Sequence, residues 1–373
     1  AVMLINDPGF ATQDDALFKG NAMTYYGRWT YKYEEAARQG ADAVIIIHET
    51  APAAYPWQVV ETSWQGKQID LKREDMGSNR VKVESWITHS IAQGLFEQSG
   101  LDLEKLKKEA LHAEFKPLIM QGLSLKARLN NTIRFASSHN VAAVKKGSLR
   151  PNEYILMMAH WDHLGTKEEQ SGDNIYNGAV DNATGVAGIL ELAETLNDYD
   201  NERSLLYLAV TAEESGLLGS AYFAEYPPID LSQVVAGFNF DAMHPRGKVK
   251  DVVVVGYGAS QLEDILERKL QKYDKYLVPD PEPEKGYFYR SDHISLSKKG
   301  VPMLYADAGI DKVEGGIKAG EQSALKYVTK DYHQPSDEYA TDWDLSGIAE
   351  HLSITAEMIL DLANSEDWPE WYE

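Results

Sequence analysis

Hydrophobic and polar positions fall into two repeating patterns along this chain. From about residue 129, short apolar runs recur: YILMMA (154–159), LLYLAV (205–210), VVAGFNF (234–240) and VVVV (252–255). They lack the in-and-out alternation of a half-exposed strand, so both of their faces are expected to be buried. Between them TGVAGILELAETL (184–196), GLLGSAYFAEY (216–226) and ASQLEDILERKLQKY (259–273) repeat at helical spacing. Strands apolar on both sides, separated by amphipathic helices, predict an α/β fold with a doubly wound, mostly parallel sheet covered on both faces. In such sheets ligands bind outside the carboxyl ends of the strands.

The first third follows a weaker version of the same rhythm. AVMLIN and then YKYEEAARQGADAVIIIHET predict strand, helix and strand, with Gly40 ending the helix before the β-branched run. KVESWI and IAQGLFEQSG repeat the alternation, and LDLEKLKKEALH predicts a polar, exposed helix that stops before Pro117. A smaller mixed α/β domain is therefore expected over residues 1–128 and a larger one over 129–373. Internal repeats and low-complexity tracts are absent. Residue 1 is Ala inside an apolar segment without an initiator Met or basic leader, so the natural N-terminus is expected upstream.

Composition narrows the chemistry. With 373 residues, 43% hydrophobic and 25% charged, the chain has enough apolar material for one or two packed domains, which excludes disorder and coiled coil. No apolar stretch approaches the length of a membrane span. The 58 acidic against 36 basic residues leave a formal charge of −22, so a nucleic-acid backbone would be repelled. Cys is absent, which removes disulfides, thiolate metal sites and a Cys nucleophile together. Any metal must be held by His and carboxylate.

Those residues collect at the strand ends. YILMMA runs into His160, Trp161, Asp162 and His163; LLYLAV leads to Glu213 and Glu214; VVAGFNF leads to Asp241. Asp181 and Asn182 precede the helix at 184, and a later loop carries His333 within YHQPSDE. Taken singly, each has an ordinary explanation: a surface His, a helix cap, a solvated acidic turn. Gathered on one rim, several carboxylates repel one another unless cations intervene, and a metal pair removes that cost. Nitrogen and oxygen donors without sulfur suit Zn²⁺, with Mn²⁺ or Co²⁺ as allowed substitutes. Two ions roughly 3.5 to 4 Å apart need one bridging carboxylate and about two further ligands each. His160, His333, Asp181, Glu214 and Asp241 match that count, leaving Glu213 as a base. Asp162 is placed to accept the other N–H of the His160 ring.

AHWDHLG, GAVDNATGVAGILELA, AEESGLLGS, FNFDAM, YRSDH followed by KKGVP, and YHQPSDE resemble, in order and spacing, the co-catalytic di-zinc aminopeptidases. That metallopeptidase family also includes glutamate carboxypeptidase and the glutaminyl cyclases, and the resemblance spans residues 129–373. It implies a zinc-exopeptidase fold and two zinc ions per chain. His160 and Asp241 would hold one ion, Glu214 and His333 the other, with Asp181 bridging, Glu213 as general base and Asp162 behind His160. It also implies peptide substrates and a secreted or periplasmic protein. EEAARQGADAVIIIHE in the first third looks like the protease-associated domain that some members carry as an insert, an accessory element that shapes or lids the cleft. Members with such an insert have part of the peptidase domain before it, and this chain has no such part.

The competing readings are weaker. VVVVGYGASQLEDIL imitates a dinucleotide-binding turn, but Gln261 stands where the third Gly belongs. Neither a GxSxG elbow nor a phosphate-binding P-loop sequence occurs. Ser291, Asp292 and His293 are contiguous and cannot form an ordinary triad; the resemblance puts them near the substrate pocket. His48, His89, His112, His139 and His351 are expected to have no ligand role, and His163 and His244 to pack beside the ligands. An acidic rim suits the free amino end of a peptide and so an aminopeptidase. Arg290 is the one Arg close to a site motif, and as a possible carboxylate clamp it keeps a carboxypeptidase open. A glutaminyl cyclase of the same fold, with a single zinc, is the other alternative.

Overall fold

The computed structural model describes residues 1–64, 66–167 and 172–372. It divides into two compact units, Ala1–Ala136 with Pro281–Tyr289, and Ser137–Asp280 with Arg290–Glu373.

The smaller unit is built on a three-stranded parallel sheet in the order β1 (Val2–Leu4), β2 (Ala43–His48), β3 (Val83–Thr88). Between β1 and β2 runs helix α1 (Trp29–Arg38); its end is followed by Gly40 at φ +77°, a left-handed conformation that glycine tolerates without strain. Alternate residues of β2 face opposite ways: Val44 and Ile46 pack with Ile5, Tyr33 and Ala36, while Ile47 packs with Ala92 and Leu103. Those last two belong to α2 (His89–Gln98) and α3 (Leu103–Glu109), each capped by a side chain accepting a backbone N–H, Thr88 for α2 and Asp102 for α3. His48 is buried with its Nε2 3.0 Å from the Tyr55 carbonyl, a structural contact.

The larger unit is organised by a seven-stranded sheet. Its strands in chain order are β4 (Val141–Lys145), β5 (Arg150–His160), β6 (Arg203–Val210), β7 (Val234–Asn239), β8 (Asp251–Val254), β9 (Tyr276–Pro279) and β10 (Met303–Ala308). Across the sheet they run β9-β8-β10-β7-β5-β6-β4. Pairings β9/β8, β10/β7, β7/β5 and β5/β6 are parallel, whereas β8/β10 and β6/β4 are antiparallel. The sheet is thus mixed, with its central strands parallel as the continuous apolar runs require.

Both faces are covered. Ile155, Met157 and Ala159 of β5 meet Leu192 of α4 (Thr184–Asn197), Leu262 and Leu266 of α6 (Leu262–Leu270), and Met358 and Ile359 of α9 (Ser346–Ala363). Leu156 and Met158 face the other way, onto Phe223 of α5 (Leu218–Glu225) and Leu296 of α7 (His293–Ser297). Helix α8 (Gly316–Lys330) completes the set used below. Among the described residues no helix is long and apolar enough to cross a membrane.

Candidate metal centre

The parallel strands carry their side chains to one rim. His160 is the last residue of β5, Asp241 lies two residues past β7, and Glu213 and Glu214 follow β6 in a turn where the Gly216 and Leu217 amides both bond the Glu213 carbonyl. Asp181 sits in the turn that leads into α4, and His333 lies three residues past α8. Ala212, Ala242 and His333 adopt left-handed backbone at φ 55°, 54° and 57°. Such conformations in non-glycine residues cluster where a fold fixes functional groups.

The distances place the donors in two sets with a common member. His160 Nε2 is 3.2 Å from Asp181 Oδ1 and 3.3 Å from Asp241 Oδ1. His333 Nε2 is 3.2 Å from Asp181 Oδ2 and 3.3 Å from Glu214 Oε2. Donors about 2.0 Å from a tetrahedral ion lie about 3.3 Å apart along the tetrahedron's edge. Each oxygen of Asp181 therefore belongs to a different group, and the donor spacing in both fits an ion of zinc size. His160, Asp181 and Asp241 form one candidate metal-holding group, and His163, Asp181 and Glu214 form another.

Charge is concentrated and dry. Burial works against a charged His160, but the carboxylates of Asp181 and Asp241 outweigh it and raise its pKa far above the ordinary imidazole value. Burial likewise opposes an ionised Asp181, yet hydrogen bonds and charge from His160 and His333 hold it well below the usual carboxylate range. Glu213 is driven the other way, well above that range, first by burial and then by the charges of Asp241 and Asp292. Asp292 is itself pushed up to about 7 by burial. Imidazolium and protonated carboxyl are the forms a crowded acidic cluster adopts when protons do the work of cations.

A set of polar side chains fixes the rim. The Asp162 carboxylate accepts the Glu213 amide at 3.0 Å and the Glu214 amide at 3.4 Å, while the His160 Nδ1 lies 3.1 Å from the Asp162 carbonyl. The carboxylate oxygen expected to receive that imidazole N–H is 3.8 Å away. Asp162 therefore acts on His160 through its main chain and uses its side chain to hold the acidic turn. Ser291 Oγ donates to Asp241 Oδ2 at 2.6 Å and accepts from Asn239 Nδ2 at 2.8 Å. Asn182 donates to the Phe240 carbonyl and accepts from the Gly185 and Ala242 amides, bracing the Asp181 and Asp241 turns against each other. A Cβ on Gly185 would fall 2.3 Å from Asn182 Oδ1 and 2.5 Å from the Phe240 carbonyl, so only glycine lets this bracket close. The buried Asp337 accepts from the Val180 and Asp181 amides and from the Tyr327 hydroxyl. Arg290 is exposed, and its charge acts on Tyr332, whose ring stacks on His333 at 3.9 Å.

Residues 140–358, more than half of the chain, match Peptidase family M28. The chain belongs to this family. Among curated M28-like relatives, aminopeptidase YwaD of Bacillus subtilis is 23% identical over 224 residues, covering 59% of this chain and 46% of that protein. A probable zinc metalloprotease of Pyrenophora teres f. teres is 38% identical over 112 residues, 30% of this chain and 23% of that protein. The chain thus spans less than half the length of these relatives. Of solved structures, an aminopeptidase from Aneurinibacillus sp. strain AM-1 aligns with 99% of this chain and 75% of its own, at 18% identity and a TM-score of 0.49.

Within this M28 chain, the five residues singled out as ligands from sequence are brought together. The brackets behind them were not singled out. Ser291 is expected from the resemblance near the substrate pocket, not behind a ligand; Asn182 stands where a helix begins, and Asp337 is one letter of YHQPSDE. The available signal for Asp337 was an acid four residues after a candidate ligand, too common a spacing to be informative alone. His163, expected to pack beside the ligands, has its Nδ1 2.6 Å from Glu214 Oε1.

Proposed function

We propose that this protein is a metal-dependent aminopeptidase, hydrolysing the N-terminal peptide bond of peptides with two zinc ions per chain. The observation that carries this reading is the shared Asp181, whose two oxygens face two different imidazoles at donor spacing. His160 and Asp241 would hold one ion, His333 and Glu214 the other, and Asp181 both. The relatives' names supply the metal and the reaction: one is a probable zinc metalloprotease, the other an aminopeptidase.

When bound, the two ions supply Lewis acidity toward the scissile carbonyl and toward water. The chain's own residues do the rest. Glu213, buried and biased toward holding a proton, takes one from the attacking water and returns it to the leaving amine. Asp162 keeps that carboxylate in place by gripping the backbone of the turn. The acidic rim holds the substrate's positively charged amino end near Glu213 and Asp241, and attack at the first bond follows from that anchoring. Arg290 is assigned to substrate binding. Residues 1–128 form a protease-associated-like accessory domain without chemistry of its own, and the protein works outside the cytoplasm.

Replacing Glu213 by Gln tests the base. The variant keeps two ions and loses about 10²–10⁴-fold in turnover of an aminoacyl anilide; near-normal turnover would remove Glu213 from that role. Direction is tested with paired peptides, one N-acetylated and one C-amidated. The amidated peptide is shortened from its amino end and the acetylated one resists; the reverse result would make the protein a carboxypeptidase.

A further inference from the structure

The His163 side chain is 7% exposed, and among the described residues neither of its ring nitrogens has a hydrogen-bond partner of acceptable angle. Buried polar atoms are rarely left so. The same is true of Glu214 Oε1, and the two unsatisfied groups face each other, His163 Nδ1 lying 2.6 Å from that oxygen. The other oxygen, Oε2, faces His333. Space has been cleared for the ring: a Cβ on Gly178, at φ +62°, would fall 2.5 Å from the His163 Cγ.

Two explanations compete. His163 could be a further ligand to the ion held by Asp181, Glu214 and His333, or it could act on that ion through Glu214. Donors sharing a tetrahedral ion stand about 3.3 Å apart, as the other nitrogen–oxygen pairs of this site do. A separation of 2.6 Å is too short for two ligands of one ion; it is the heavy-atom distance of a charge-assisted N–H···O bond, which needs only a turn of the ring to align.

We infer that His163 is a positioning residue: a small rotation of its ring turns Nδ1–H onto Glu214 Oε1, already 2.6 Å away, so that Glu214 offers only Oε2 to the second ion. A carboxylate pinned in this way stays a one-oxygen ligand, and the coordination number at that ion stays low enough to leave room for substrate. This rests on the two-ion reading above.

The test uses the full chain loaded with zinc, with stoichiometry measured first on the unaltered protein. One ion there would fail the two-ion reading itself. With two ions present, competition against a chelator gives the affinity of each in His163→Ala and His163→Asn. The Asn amide N–H occupies the place of Nδ1–H and can donate to Oε1, but it is a poor zinc ligand. The expected result is a loss of about 10–100-fold in affinity for one ion in His163→Ala, with recovery to within about threefold in His163→Asn. Equal losses in both variants, or no loss in either, would overturn the assignment. Should the variants not fold, the cobalt-loaded unaltered protein gives the answer by proton NMR. Two solvent-exchangeable imidazole N–H signals with large contact shifts are expected, from His160 and His333, with His163 showing only the small through-space shift of a ring not bonded to the metal. A third signal with a large contact shift would make His163 a ligand and overturn the assignment.

Discussion

Asn182 is the residue whose loss should be felt most widely for its size. Its side chain lies in a residue only 2% exposed, with Nδ2 2.9 Å from the Phe240 carbonyl and Oδ1 3.0 Å and 3.1 Å from the Gly185 and Ala242 amides. Truncation to Ala orphans three backbone groups at once, two of them buried and one half-buried. Each costs about 1–3 kcal/mol, and the vacated amide volume lets water reclaim part of that, so the net loss is about 3–6 kcal/mol. This is a large share of the ~5–15 kcal/mol that holds a typical domain. The bracket joins the turns bearing Asp181 and Asp241, so metal affinity should fall with it, by about 10–100-fold. Asn182→Asp separates the causes. It keeps the acceptor but sets an oxygen against the Phe240 carbonyl and adds charge between two carboxylates, so it should be no more stable than Asn182→Ala without metal. Urea unfolding in the presence of a chelator, followed by zinc titration of the folded variants, measures both effects. An Ala variant within about 1 kcal/mol of the unaltered protein and with unchanged zinc affinity would refute the bracing role.

Asp337→Asn replaces one of the two oxygens that accept the Val180 and Asp181 amides by an N–H₂ group, setting donor against donor; a loss of about 2–3 kcal/mol in urea unfolding and weaker binding of both ions are expected. His351, in α9, has its pKa lowered from 6.5 to about 4 by burial and then by the charge of Lys275. The folded state keeps it neutral while the unfolded chain takes up a proton, so its contribution is fully present above about pH 6.5 and is lost as pH falls toward 4. The loss amounts to at most about 3 kcal/mol, and unfolding of His351→Asn across that range should lack this slope.

What the sequence could disclose follows a physical line. Strands β5, β6 and β7 were legible because burial on both faces demands continuous apolar runs, and their ends gave the ligands directly. The short strand β4 was not, since Val141 and Val144 are exposed and nothing in VAAVK marks it as the antiparallel edge of this sheet. The antiparallel placement of β10 was equally hidden: Met303–Ala308 pairs with β7 in one direction and β8 in the other, and a strand's own residues do not encode its neighbours' directions. At the site, ligands could be found because several acids and imidazoles on one rim form an improbable set. Ser291, Asn182 and Asp337 brace the site through hydrogen bonds that include partners 50 to 157 residues away, and such partners have no signature in local spacing.

Two ions per chain require one carboxylate, Asp181, to join two metal sites. Elemental analysis of the purified, zinc-loaded chain tests it most directly, with Asp181→Ala and His333→Ala beside it. Two ions per chain, release of both in Asp181→Ala, and loss of one with retention of the other in His333→Ala are expected. A single ion at full activity, or two ions undisturbed by loss of Asp181, would contradict it.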